Sequence, residues 1–408
     1  MPDDASMTAL QEMCRDLDAE VVAERAMRYL ETWSPPFAEA GIAQMVADDL
    51  RAAGAEDVVL DEEFPGSPSV IAWLRGTEPG PTMQWHGHMD AIATPHTPAR
   101  REGNELVARG ASDMKGAIAA NVESVRLLRA AGLPRRGNVL LTYHGQHEEG
   151  GSAPMIRLIE RGMVGDAVMT GELGSGRELV TSSRGLDFWS IDIERTGASI
   201  HEVNATLDVV DPLKVGTRLL ERLVSLRDGL AAGAVVPRGS LFIGKFVSGD
   251  YYNRVPVSCS IAGTRRHFSD GSHTAVSDEL EGLVARVREE TGADIRLTIT
   301  TMTDAYEIDP EARVARSLRW AHHLLTGESM VSVMSGAAGN AADFVVRAGK
   351  PAVYYGCDYA TAHSDRERTT VEELGRVASA FALATAAFLS NDPIDAPALD
   401  ERPVTSDG

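Results

Sequence analysis

The chain has 408 residues and carries 60 acidic against 39 basic side chains, a formal net charge of −21. That surface repels phosphate and argues against nucleic acid and anionic membranes as partners. The length and an apolar content of 43% indicate a soluble globular protein of two domains. Cys14, Cys259 and Cys357 are scattered and odd in number, which fits a reducing cytoplasm rather than a disulfide framework. The stretch "MPDDASMTALQEM" lacks the apolar core of a signal peptide. No apolar run approaches the roughly 20 residues that span a bilayer.

Residues 17–31 and 36–53 read as helices. "DVVLDEEF", "SVIAWLRG" and "PTMQWHGHMDAI" read as strands, the last ending in histidines. "DMKGAIAANVESVRLLRAAG" is a helix with Ile118, Val122, Val125 and Leu128 on one face. "GNVLLTYHGQ" is a near-continuous apolar strand, as expected in the middle of a covered sheet. Helix "SAPMIRLIERG" and strand "DAVMTGE" follow. Alternating strands and helices predict an α/β layered domain. Near Arg184 the pattern becomes α+β: strand "GLDFWSIDIERTG", a helix from Asp211, two strands, helix "SHTAVSDELEGLVARVREETG" and strand "IRLTITT". The α/β pattern then returns, with strand "PAVYYGC" and a long helix from Val371. The expected organisation is a catalytic domain over 1–183 and 303–392, an inserted domain over 184–302, and a mobile acidic tail over 393–408.

Ligands of open α/β sheets sit beyond the carboxyl ends of the strands. Five acid or histidine sites fall there: His88 and Asp90 in "HGHMD", Asp113 in "RGASDMKG", Glu148 and Glu149 in "HGQHEEGGS", Glu172 in "TGELG", and His363 in "AHSDRE". Each alone has a plainer reading, as a loop histidine, an N-cap or a solvated charge pair. Together they point to a cation, because converging carboxylates repel one another without one. Imidazoles mixed with carboxylates suit zinc and admit cobalt or manganese.

These five motifs, in this order, resemble the co-catalytic zinc amidohydrolases that include carboxypeptidase G, aminoacylase, acetylornithine deacetylase and succinyl-diaminopimelate desuccinylase. The resemblance spans roughly residues 15 to 392. It implies a three-layer, mostly parallel catalytic domain with an inserted lid that forms a homodimer. It implies two divalent metal ions, zinc with cobalt or manganese as alternatives. His88 and Glu172 would hold the first, Glu149 and His363 the second, and Asp113 would bridge them before a cis peptide. Asp90 would orient His88. Glu148 would be the general base, taking a proton from a water held by the metals and passing it to the leaving nitrogen. Gly150 and Gly151 would let the chain turn so that both glutamates reach one cavity.

In the lid, the resemblance makes His201 the candidate oxyanion donor and Asn253 a substrate contact. Arg266, with Arg265 beside it, becomes the clamp for a substrate carboxylate, a task that suits a planar guanidinium. The loop with Asn340 and Asp343 departs from the family pattern, so neither receives a role. His86 reads as packing, Cys357 as a small buried residue, and His96, His144 and His147 are unassigned. The implied activity is hydrolysis of an amide bond in an N-acyl amino acid or a small peptide-like carboxylate. Alternatives are a dipeptidase or aminopeptidase, or hydrolysis of an amidine, carbamoyl or aromatic amine C–N bond. A non-catalytic metal-dependent binding protein is the reading from another class.

Overall fold

The computed structural model describes residues 4–149, 151–206, 209–231, 239–268, 272–336 and 339–400. Gly150 and positions 401–408 of the expected tail lie outside the described residues. The chain divides into two compact units. One comprises Met1–Ser182, Ile308–Ser335 and Gly339–Gly408, and the other Ser183–Glu307 with Gly336–Ala338.

The first unit opens with α1 (Asp4–Arg15), α2 (Ala19–Glu31) and α3 (Ala40–Ala52). α1 was not anticipated from the acidic N-terminus. Its Leu10 and Cys14 are buried, and Cys14 Sγ lies against the Ser379 carbonyl. α3 starts later than position 36, because Pro35 and Pro36 form a turn in which Phe37 takes φ 70°. Strands β1 (Glu56–Asp61), β2 (Ser69–Arg75) and β3 (Glu78–His88) follow, then the short β4 (Arg100–Glu102) and β5 (Glu105–Val107). Next come α4 (Lys115–Ala130), β6 (Arg136–His144), α5 (Ala153–Glu160), β7 (Ala167–Ser175) and β8 (Glu178–Ser183).

The second unit holds β9 (Gly185–Glu194), α6 (Pro212–Ala231), β10 (Ser240–Ser248), β11 (Ser258–His267), α7 (His273–Thr291), β12 (Asp294–Thr303) and β13 (Tyr306–Glu307). Its antiparallel sheet has the order β10-β11-β9-β12. Alternate residues Trp189, Ile191 and Ile193 of β9 are buried with Leu219 and Leu223 of α6 and Leu280 of α7, the period-2 pattern of a sheet with one covered face. Ser272 caps α7 by accepting from the Ala275 N–H, and Gly292 ends it at φ 63°.

The chain returns to the first unit with α8 (Arg313–Thr326), β14 (Val331–Ser335), α9 (Ala341–Ala348), β15 (Ala352–Gly356), β16 (Arg368–Thr370) and α10 (Val371–Leu389). The neighbouring strands β6, β3, β7 and β15 are parallel, flanked by antiparallel β2 and β8. Helices cover both faces, as alternation along β3 shows. Trp85 meets Phe381 of α10 edge-on, with ring centroids 5.7 Å apart. His86, the next residue, meets Phe344 of α9 at 4.8 Å. This is the three-layer sandwich that alternating strands and helices predict.

Residues 393–400, placed by the sequence in a tail, are held. Ile394 is buried, its carbonyl accepts from Arg316, and the Asp400 N–H donates to the Met330 carbonyl at 2.9 Å. Within the core, Trp85 Nε1 donates to Thr385 Oγ1 at 2.8 Å, with both side chains fully buried. Thr385→Val keeps the shape but strands that N–H. It should lower the unfolding free energy by about 1–3 kcal/mol, read from urea midpoints at an unchanged slope.

Candidate metal centre

The carboxyl ends of the parallel strands deliver the donors. His88 is the last residue of β3, Glu148 follows β6, Glu172 lies in β7 and His363 follows β15. Asp113 sits just before α4, and its peptide bond to Met114 is cis. Its carboxylate carries one imidazole on each oxygen. His88 Nε2 lies 3.0 Å from Oδ1, and His363 Nε2 lies 3.1 Å from Oδ2. Tyr359 also donates to Oδ2, at 2.9 Å. Behind Asp113, Glu367 Oε1 accepts from the backbone N–H groups of Ser112 and Asp113 at 3.2 and 3.1 Å. Arg109 holds Glu367 in turn, at 3.4 Å. His363 takes φ 62°, a left-handed conformation uncommon outside glycine and concentrated at functional sites.

Asp90 orients two groups. Its backbone carbonyl lies 3.1 Å from His88 Nδ1, and its Oδ1 lies 3.5 Å from the same nitrogen. Its Oδ2 accepts from the Glu148 N–H at 2.9 Å. That bond, after a left-handed Gln146 at φ 62°, turns Glu148 inward, and its Oε1 lies 3.1 Å from His363 Nε2. Glu149 is exposed, as is His363, and neither belongs to the two donor groups that the described residues form at the centre. These groups are His88, Asp113 and Glu148, and His88, His147 and Glu172. His147, unassigned from sequence, stacks on His88 at 4.2 Å and brings Nε2 to 3.9 Å from Glu172 Oε1.

Burial raises Glu172 to about 8, with the Asp113 charge adding to the rise. Both Glu172 oxygens are buried without a hydrogen-bond partner. Burial also raises Glu148, against its bond to His363. Burial alone would raise Asp113, yet its bonds to His363 and His88 hold it far below its ordinary range. Hydrogen bonds to Asp113 and Glu148 lift His363 to about 10. Burial presses His147 down to about 3, so it is neutral near pH 7. Burial opposes charge on His88, but Asp113 and Asp90 outweigh it and raise its pKa. The donors fit divalent ions, which would give the bare Glu172 oxygens the partner they lack.

Other contributors had received no role from the sequence. Asn340, fully buried, lies 3.1 Å from His144 Nε2 and donates to Ser152 Oγ at 3.0 Å. Ser152 Oγ is 3.1 Å from His147 Nδ1, so the atypical loop reaches the centre through this chain. Asp343 pairs with Arg347 at 2.6 Å.

In the second unit, Asn253 Nδ2 donates to His201 Nε2 at 2.9 Å, joining two residues singled out separately. The two arginines divide. Arg265 is buried and bound to Glu279 at 3.0 Å, which removes it as a free clamp. Arg266 is half-buried, its Nη1 has no hydrogen-bond partner, and burial with the Arg184 charge lowers its pKa.

One carboxylate shared by two imidazoles, beside a buried carboxylate, is a donor set that fits a metallohydrolase centre. Residues 85–387 match the model of Peptidase family M20/M25/M40, and the chain belongs to that family. It is a metal-dependent hydrolase acting on amide C–N bonds. It is 24% identical to the N-formyl-4-amino-5-aminomethyl-2-methylpyrimidine deformylase of Bacillus subtilis, covering 91% of this chain and 95% of the relative. It is also 24% identical to the succinyl-diaminopimelate desuccinylase of Dinoroseobacter shibae, over 69% of this chain and 75% of that one. Its fold superposes on aminopeptidase PepT of Bacillus cereus with a TM-score of 0.75 at 19% identity, covering 92% of this chain and 100% of that structure.

Metal loading must displace protons from His363 and Glu172, whose values lie near 10 and 8. Affinity should therefore rise with pH up to about 10, most steeply below about 8, with net proton release near pH 7. Calorimetry in buffers of different ionisation enthalpy measures both, and pH-independent binding would contradict the geometry.

Proposed function

We propose that the protein removes an acyl group from nitrogen, hydrolysing an N-acyl amino acid or a small peptide-like carboxylate with two divalent ions, zinc first. The observation that carries this reading is the Asp113 carboxylate held between His88 and His363 beside the unpartnered oxygens of Glu172. Both curated relatives described above are named as deacylases, a deformylase and a desuccinylase.

When bound, the ions would polarise the scissile carbonyl and lower the pKa of a water toward about 7. His88, Asp113, Glu149, Glu172 and His363 would hold them. Glu148 takes the proton of the attacking water and hands it to the leaving nitrogen. Burial supports this role by raising its proton affinity, and the Asp90 bond to its backbone fixes its position. Asp90 also keeps His88 oriented. In this reading His201, released from Asn253, donates to the developing oxyanion, Asn253 contacts the substrate, and Arg266 binds the substrate carboxylate.

The open edge of β10, with Phe242 and Val247 exposed, supports homodimerisation through the second unit. Three buried free thiols support a reducing, cytoplasmic setting.

Glu148→Gln should keep its metal and lose turnover by at least about 100-fold, the usual contribution of a general base. Glu149→Gln should instead weaken metal binding, because a ligand carboxylate is lost. Metal analysis paired with kinetics checks both, and loss of metal from Glu148→Gln would make that residue a ligand instead. Arg266→Ala should raise KM about 10- to 100-fold for substrates with a carboxylate and spare those without, read from a matched substrate pair.

A further inference from the structure

The second unit contains its own cluster of metal-type donors, formed by Asp187, His267 and His273, whose ligand atoms lie within 4.8 Å of one another. They come from three elements: Asp187 from β9, His267 from the end of β11, and His273 from the first turn of α7. Asp187 is fully buried. Its Oδ1 accepts from Thr301 at 3.1 Å and lies 2.7 Å from His273 Nδ1. Among the described residues its Oδ2 has no hydrogen-bond partner, and it lies 3.7 Å from His267 Nε2. A buried carboxylate oxygen without a partner is costly unless something cationic meets it.

Both imidazoles are tied down from behind. His267 Nδ1 lies 3.1 Å from the Phe268 carbonyl, and His273 Nε2 lies 2.7 Å from Asp304 Oδ1. With a proton on each outer nitrogen, the inner nitrogens present lone pairs to each other and to Asp187. Those inner nitrogens are 3.3 Å apart. Two donors each about 2.0–2.1 Å from a tetrahedral ion would be separated by about 3.3–3.4 Å. Metal-binding histidines nearly always give their second N–H to a carboxylate or a backbone carbonyl, and this cluster has one of each. A Cβ at Gly185 would lie 2.3 Å from His267 Nε2, so the glycine leaves that ring its place. His273 keeps 23% of its side chain exposed, which gives an ion a path from solvent.

We propose that Asp187, His267 and His273 form a further divalent-metal site with one open position, suited to zinc or cobalt. An ion there clamps the ends of β9 and β11 to the start of α7. Asp304 positions His273 without touching the ion.

The test uses the full chain, stripped with chelator and titrated with Co²⁺, followed by calorimetry and visible absorption. A chain carrying His88→Ala and His363→Ala, which disables the first centre, should still bind one equivalent. Adding His273→Ala or His267→Gln should remove it. Asp304→Asn should retain the ion with about 10- to 100-fold weaker affinity. If His273→Ala fails to fold, His267→Gln and Asp304→Asn supply the readout. No ion bound by the His88→Ala/His363→Ala chain, equal stoichiometry after His267→Gln, or unchanged affinity in Asp304→Asn would each overturn the site.

Discussion

The metal centre depends on one buried carboxylate with an imidazole on each oxygen. Asp113 cannot move without releasing His88 and His363 together, and its own backbone is fixed by Glu367. Around it the fold gathers Asp90, Glu148 and Glu172 in a space where charge is poorly solvated. Such crowding is tolerable only if cations neutralise it. The parallel strands explain how donors so distant in sequence meet, since each ends at the same rim of the sheet and releases its next residues there.

Most donors were legible because they close, lie in or follow strands whose apolar runs are themselves legible, whereas Asp113 was legible from its motif ahead of α4. His88 closes "TMQWHGH", and Glu172 lies within "VMTGEL". The supporting residues were not. Asn340 reaches Ser152 across 188 positions, and Tyr359 reaches Asp113 across 246. Nothing local distinguishes Tyr359 from an ordinary loop residue, and Asn340 stood out only through the atypical pattern of its loop. The placement of Glu148 also lay beyond sequence, because it turns on the left-handed Gln146 and the Asp90 hydrogen bond. The small sheet of β4, β5 and β16 escaped notice because three-residue strands carry no period.

The paired arginines show what register adds. Arg265 stands opposite Asp187 of β9 and Arg266 opposite Leu186. Successive side chains leave a strand on opposite faces, so adjacent guanidiniums have different fates. One is neutralised by Glu279, while the other keeps an unpaired nitrogen. Composition treats them as the same residue twice, and the pleat separates them.

The order of segments along the chain bears on how the enzyme is made. The second unit is essentially contiguous, whereas the first is completed by α8, β15 and α10 from the C-terminal part. Synthesis runs from the N-terminus, and domains fold as units as they emerge. The inserted unit is therefore whole while the surrounding one still lacks strand β15 and the buried α10. His363 is the last of the metal donors to leave the ribosome. A nascent or truncated chain ending before it carries the carboxylates without their second imidazole. Catalytic competence thus arrives only after His363 has emerged.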